Sequence, residues 1–334
     1  MARMTTFIGN ISALQFLVSN GTPQRRALGA SSQLRLLSTR SAPQRNTSPN
    51  RRLIRDLGMP DGIFTEKLHV NVADHNSRGV NSDITCHIWT GPDRGTYLRI
   101  DDEYCVLTPE ACFAQMAGEL PLAQLVELAM MLCGTYAPAP EGLPARYDME
   151  PLTTPKRLRS YIGRLSGKRG LDNARIAARL ASSGSGSPME SKIASDLALS
   201  THHGGRGVPA ELNIELALTN EARGLGYRNV RRPDFLWPRY RLAMDYDSRE
   251  FHDDRAQAAA DETRRNELAA MGLNSIIARP HHFRNPLAHD AFMGQLFAAM
   301  PRSANSRTRG LAEKRARVYS QLYGAEKWRP MDVR

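Results

Sequence analysis

The chain of 334 residues predicts an α/β protein, α+β in its N-terminal part, and three observations carry that prediction. Between residues 68 and 107 apolar and polar side chains alternate in short runs bounded by turn formers, as they do in strands. Residues 108–134 and 156–180 change to a helical period. Beyond residue 187 the pattern reads helix, three strand segments, helix, strand, an α-β-β-β-α-β order that suits a mixed sheet flanked by helices. An apolar fraction of 41% is enough for ordinary cores, and the length suggests about two domains. No run of ~18 apolar residues occurs, so no membrane span is expected. The formal charge of +11 is concentrated at the ends. Residues 1–50 hold six Arg and no acid; residues 302–334 hold nine Lys or Arg against three acids. Basic ends favour polyanions without specificity, and they read equally as solvated tails.

In chain order, residues 1–55 form a basic segment. Phe7–Val18 is a short apolar element, and residues 19–55 are rich in Ser, Arg, Pro and Asn without a period, which predicts loop. The same acid-free composition is found in organellar transit peptides, a competing reading. Residues 56–150 make an α+β domain, with strands at Leu68–Val72 and Ile84–Trp89 and a hairpin of Tyr97–Ile100 with Tyr104–Leu107. Thr108 is placed to cap a helix with Pro109 at its first position. Pro121 opens a second helix, apolar on all sides and therefore buried, that ends at Gly134. Residues 135–150 read as a Pro-rich linker. Residues 151–187 hold two basic helices, Lys156–Leu165 and Leu171–Leu180, and a Ser/Gly tract that marks a boundary. Four cysteines without CxxC spacing, and no secretory signal, predict free thiols in a reducing cytoplasm.

A second domain spans residues 188–301, followed by a basic tail, 302–334. Ser187 and Glu190 have the spacing of a helix capping box with Pro188 at the first helical position. The loop at Thr201–Gly207 reads as solvated or substrate-facing. A strand is expected at Leu212–Leu218, followed by the run Tyr227–Val230 and then by strands at Pro233–Trp237 and Arg241–Asp247. In an extended chain Leu242, Met244 and Tyr246 share one face, while Arg241, Ala243, Asp245 and Asp247 share the other. A hairpin across Trp237–Arg241 sets Asp234 beside Asp245. Two carboxylates so close repel, and the usual remedy is a hard divalent cation such as Mg²⁺ or Mn²⁺. A helix over Asp253–Met271, stopped by Gly272, a strand over Ser275–Ala278 and a helix over Pro286–Met300 complete the domain.

Pro233-Asp234 followed by a carboxylate-rich strand resembles the PD-(D/E)XK nuclease superfamily. Asp245-Tyr246-Asp247, His252 and the Asp261-x-x-Arg264-Arg265 pattern resemble its very-short-patch-repair (Vsr)-like branch, over residues 187–300. The resemblance implies a restriction-endonuclease-like core and metal-dependent hydrolysis of DNA. Its site would comprise Glu190, Asp234, Asp245, Asp247, His252 and Arg265. Asp234, Asp245 and Asp247 would hold Mg²⁺ or Mn²⁺, and Arg264, Arg265 and Lys192 would meet the nucleic acid. The sequence departs from the superfamily where a lysine is expected, two residues after Asp245; Asp247 stands there. Three readings stay open: His252 orients or deprotonates the attacking water, Lys192 or Arg265 supplies the charge, or the domain is catalytically inactive. Read without the resemblance, Glu190 is a cap, His252 a loop residue, and Arg264 and Arg265 a solvated face paired with Asp261 and Glu262. Val106–Glu110 resembles type IV abortive-infection antitoxin-like modules, which implies a toxin–antitoxin or defence partner. The alternative function is therefore a DNA-binding or antitoxin-like regulator that keeps the nuclease fold without its chemistry.

Overall fold

The computed structural model describes residues 6–19, 67–78, 84–89, 95–100, 104–138, 145–226, 229–248, 255–300 and 310–324, with backbone only over 255–261. The chain divides into two units, Met1–Ser183 with Trp328–Arg334, and Gly184–Lys327; the division falls inside the Ser/Gly tract. Both mix helices with sheets, and no helix among the described residues is long and apolar enough to cross a membrane.

The N-terminal unit contains β1 (Thr6–Ile8), α1 (Asn10–Ser19), β2 (Leu68–Val72), β3 (Ile84–Ile88), β4 (Tyr97–Arg99) and β5 (Tyr104–Leu107). These are followed by α2 (Pro109–Met116), α3 (Leu122–Leu132), α4 (Pro155–Gly163) and α5 (Leu171–Leu180). The sheet order is β3-β2-β1-β5-β4. The apolar element at the start of the chain is thus two elements, and its strand lies at the centre of the sheet, with Phe7 and Ile8 buried. The predicted hairpin is present, β4 pairing antiparallel with β5 from Tyr97 opposite Leu107. Thr108 accepts the Ala111 N–H on its side chain and caps α2, and α3 is buried from Ala123 to Leu132. The segment 135–150 is more than a linker: Ala137 bridges to Arg146, Tyr136 and Met149 are buried, and the Arg146 guanidinium donates to the Val18 carbonyl. None of the four cysteines is in a disulfide.

His69 on β2 and His87 on β3 are hydrogen-bonded ring to ring at 2.9 Å, so one nitrogen of the pair must stay unprotonated to accept. Burial lowers the proton affinity of both, to pKa values of about 4. The neighbouring His87 adds to the effect at His69, and Arg78 adds to it at His87. Glu119, 3.9 Å from His87, works in the opposite direction at His69. A depressed histidine pKa means that the unfolded chain binds more protons than the folded one below the ordinary value of 6.5. The pair is therefore at full stability above pH 6.5 and loses stability as the pH falls toward 4. With each tenfold change in proton affinity worth about 1.4 kcal/mol, and with both rings partly wetted, the N-terminal unit is expected to lose roughly 1–3 kcal/mol over that window. Urea melts at stepped pH check this. His87→Gln should flatten the dependence, and an equal slope in the variant would show that other groups cause it.

The C-terminal unit contains α6 (Pro188–Ala198), β6 (Glu211–Leu212), β7 (Leu216–Ala217), α7 (Asn220–Gly226), β8 (Val230–Arg231) and β9 (Phe235–Trp237). After these come β10 (Leu242–Tyr246), α8 (Arg255–Ala270), β11 (Asn274–Ala278), α9 (Pro286–Ala298) and α10 (Leu311–Tyr323). Four strands form a mixed sheet in the order β11-β10-β9-β6, and β7 and β8 form a separate ribbon. The single strand expected over Leu212–Leu218 is two, because Asn213 takes a left-handed conformation at φ 51° and turns the chain out of the sheet. In the run Tyr227–Val230 only the last residue is in a strand, at the start of β8; α7 ends at Gly226, and residues 227 and 228 lie outside the described residues. β10 is buried on both faces from Leu242 to Asp245, because α8 covers the face that carries Ala243. There Leu268 packs against Leu236 and Ala243. Residues 311–323, read from sequence as part of a basic tail, are helical, with Val318, Tyr319 and Leu322 buried.

Candidate active site

Three residues of turn, Pro238–Tyr240, join β9 to β10, and Arg241 closes the turn in the left-handed region. That length sets the register: Trp237 lies opposite Leu242, Leu236 opposite Ala243 and Phe235 opposite Met244. One step further, Asp234 and Asp245 meet at the open end of the hairpin, as the sequence spacing predicts. Their contacts interlock. The Asp234 N–H donates to Asp245 Oδ1 at 3.2 Å, and the Tyr246 N–H donates to Asp234 Oδ2 at 2.6 Å. Asp245 is 7% exposed.

Glu190 approaches from the start of α6. Ser187 caps that helix and accepts the Glu190 N–H at 3.2 Å, but the Glu190 carboxylate does not return to the Ser187 N–H as a capping box would have it. Its Oε2 instead accepts the Gly186 N–H at 2.7 Å and the Asn213 side-chain amide at 2.6 Å. A Cβ on residue 186 would meet both carboxylate oxygens at 3.3 Å. Asn213 is the hub here: its amide also reaches the Gly184 carbonyl, and its backbone N–H donates to the Asp234 carbonyl at 3.1 Å. The same left-handed turn that splits the expected strand therefore links Glu190 to the β9 side of the site.

The electrostatics follow from this crowding. Burial and the charge of Glu190, with a smaller contribution from Asp245, push the Asp234 carboxyl up to about 7. The Tyr246 N–H and Arg264 oppose that rise. Arg264 on α8 lies 3.4 Å from Asp245, and Arg279, just past β11, lies 3.7 Å from Asp247. Arg265, one residue along a helix and so turned by about 100°, lines a cavity with β11 and Arg279 instead. Glu267 and Leu268 continue the inward face of α8, Glu267 pairing with Arg231. Lys192 is buried at 9% exposure, about 200° round α6 from Glu190. His252 lies outside the described residues, and so does the Asp261 side chain.

Sequence reasoning thus brings together Glu190, Asp234 and Asp245, and it misses Asn213 and Arg279. Asn213 had one readable signal, since asparagine tolerates left-handed backbone better than most residues. Among the described residues no group of three or more His, Cys, Asp or Glu is arranged to hold a metal ion. The arrangement offers two adjacent carboxylates, a third facing them electrostatically, and two guanidinium groups at the margin. Comparison with protein-family models, with curated proteins and with solved structures returned no match to this chain.

Proposed function

We propose that the C-terminal unit is a metal-dependent endonuclease that hydrolyses DNA phosphodiester bonds, on a restriction-endonuclease-like core of the PD-(D/E)XK kind. The observation that carries this reading is the placing of Asp234 against Asp245 across the open end of the β9–β10 hairpin. The order α6, β6, β9, β10, α8, β11 supports it. A protein cage of three ligands is not needed: Mg²⁺ commonly takes one or two carboxylates and fills its octahedron with water and substrate phosphate. The residues present fit that requirement. Asp234 and Asp245 would hold Mg²⁺ or Mn²⁺, with Glu190 and Asp247 assisting through water, and Asp234, crowded by negative charge, is a group that a cation would relieve. A bound cation there supplies Lewis acidity and a more acidic water.

The chain's own residues do the rest. Gly186 and Asn213 fix the Glu190 carboxylate. Arg264 offsets the charge of Asp245, and Arg279 that of Asp247, so the positive charge the superfamily draws from a lysine comes here from two arginines. His252 would orient or deprotonate the attacking water, a task suited to an unperturbed pKa near 6.5. One observation favours a second reading, a DNA-binding or antitoxin-like regulator without chemistry: both ion pairs partly neutralise the carboxylates without any cation. Nicking of supercoiled plasmid separates the two. The nuclease reading expects nicking in Mg²⁺ that EDTA abolishes; its absence in both Mg²⁺ and Mn²⁺ would favour the regulator.

A further inference from the structure

The outer side of β11 opens onto a cavity of about 520 Å³, within the range of ligand sites. Arg265 from α8, Arg279, His282 and Gln295 from α9 line it, with Ile276 and Ile277 as an apolar wall. Among the described residues that line it there is no carboxylate, and there are two guanidinium groups. Among the described residues β11 pairs only with β10. The ring of His282 is fixed: its Nδ1 accepts the Arg279 backbone N–H at 3.0 Å, and it stacks on Phe292 at 4.4 Å and 13°. With Nδ1 accepting, the proton of a neutral ring sits on Nε2, which makes that atom a donor. Burial, with His281 and Arg279 nearby, lowers the proton affinity of His282 and favours that neutral form.

We infer that this cavity binds a phosphate ester, Arg265 and Arg279 taking the phosphate oxygens and Ile276 and Ile277 the apolar face of the attached sugar or base. Arginine's planar fork suits phosphate better than any other side chain, and His282 and Gln295 add neutral donors. The site needs neither metal nor cleavage, although it shares Arg279 with the catalytic reading, where that side chain offsets Asp247. A phosphate ester can arrive as the backbone of a DNA strand or as a free nucleotide.

The test uses the full chain with EDTA present. Fluorescence anisotropy follows a short labelled single-stranded oligodeoxynucleotide, and AMP serves as competitor and as a calorimetric ligand. Arg279→Gln and Arg265→Gln should each weaken binding about tenfold and reduce the salt slope by about 0.7, the value for one lost phosphate contact on a single strand. Arg175→Gln, an exposed arginine of the N-terminal unit paired with Asp172, should bind as wild type. Arg265 is exposed, so its variant tests binding without burdening the fold. AMP that competes, or binds alone with the same loss in both variants, identifies a free nucleotide; oligonucleotide binding untouched by AMP identifies the strand backbone. Affinities in both variants within twofold of wild type, or no binding of either probe by wild type, would overturn the inference. Wild-type protein that binds a probe but nicks no plasmid in Mg²⁺ or Mn²⁺ would count against the nuclease reading alone.

Discussion

Asp245→Asn is expected to abolish Mg²⁺-dependent plasmid nicking, by at least 10²–10³-fold. The change keeps the shape of the side chain and its acceptor for the Asp234 N–H, but it removes the charge on which a divalent cation at the hairpin end depends. Metal charge stabilisation is worth several kcal/mol in such reactions, and each 1.36 kcal/mol is tenfold in rate. It also leaves Arg264, 3.4 Å away, with an uncharged neighbour, a small effect at a group 38% exposed. Asp247→Lys is the informative companion. It restores the superfamily spacing but sets an ammonium against Arg279. A live enzyme that uses Asp247 should slow and require more Mg²⁺, whereas a site made inactive by the missing lysine should gain activity. Wild-type nicking that survives Asp245→Asn undiminished would place the activity elsewhere.

The second large effect concerns stability. Asp196 on α6, Arg206 and His289 on α9 form a group almost sealed from water, at 1%, 4% and 2% exposure. His289 Nε2 lies 3.0 Å from Asp196 Oδ2, and Arg206 Nε lies 3.6 Å from the same oxygen. These contacts are within ion-pair range without well-aligned hydrogen bonds. An arginine can only donate, so the 3.3 Å contact of Arg206 Nη2 with His289 Nδ1 leaves the ring proton on Nε2, toward Asp196. Arg206 also reaches Asp290 at 3.0 Å. Arg315 on α10 faces the same group and loses proton affinity, first through burial and then through Arg206. Among the described residues, Asp196→Ala would leave two arginines near one another with Asp290, 57% exposed, to offset them. Breaking a buried ionic group in this way costs about 3–5 kcal/mol, or roughly 10–20 °C in Tm for a unit of this size. Replacing both charges, Asp196→Leu with Arg206→Met, should recover most of the loss, since apolar substitutes often match a buried pair. Urea melts followed by the fluorescence of the buried Trp237 measure it. A double variant as weak as Asp196→Ala would show that the cost lies in packing rather than in the stranded charge.

What sequence alone determined in this chain is local. The period of two and a hairpin across Trp237–Arg241 place Asp234 opposite Asp245 before any packing is known, because register in a hairpin follows from its turn. Ser187 and Thr108 cap their helices where the sequence puts them, because a cap is satisfied within a few residues. The spacing of Ser187 and Glu190 also put a carboxylate at the start of α6, but not its partners. Those come from Gly186 and from Asn213, 23 residues away, and only a folded sheet brings β6 to that helix. The same holds for the two arginines of α8. Sequence names Arg264 and Arg265 as a pair, and the packing of Leu268 on Leu236 and Ala243 decides that Arg264 meets Asp245 while Arg265 turns to the β11 cavity. Arg279 carries no motif, and its contact with Asp247 follows from the parallel pairing of β10 with β11. The helix at 311–323 was hidden for a related reason: its buried stripe of Val318, Tyr319 and Leu322 is narrow, and a charged composition masks it until α6 and the Phe283 carbonyl, which accepts the Tyr319 hydroxyl at 2.8 Å, supply the surface it covers. Local periodicity fixes which side chains share a face; only long-range burial fixes what that face meets.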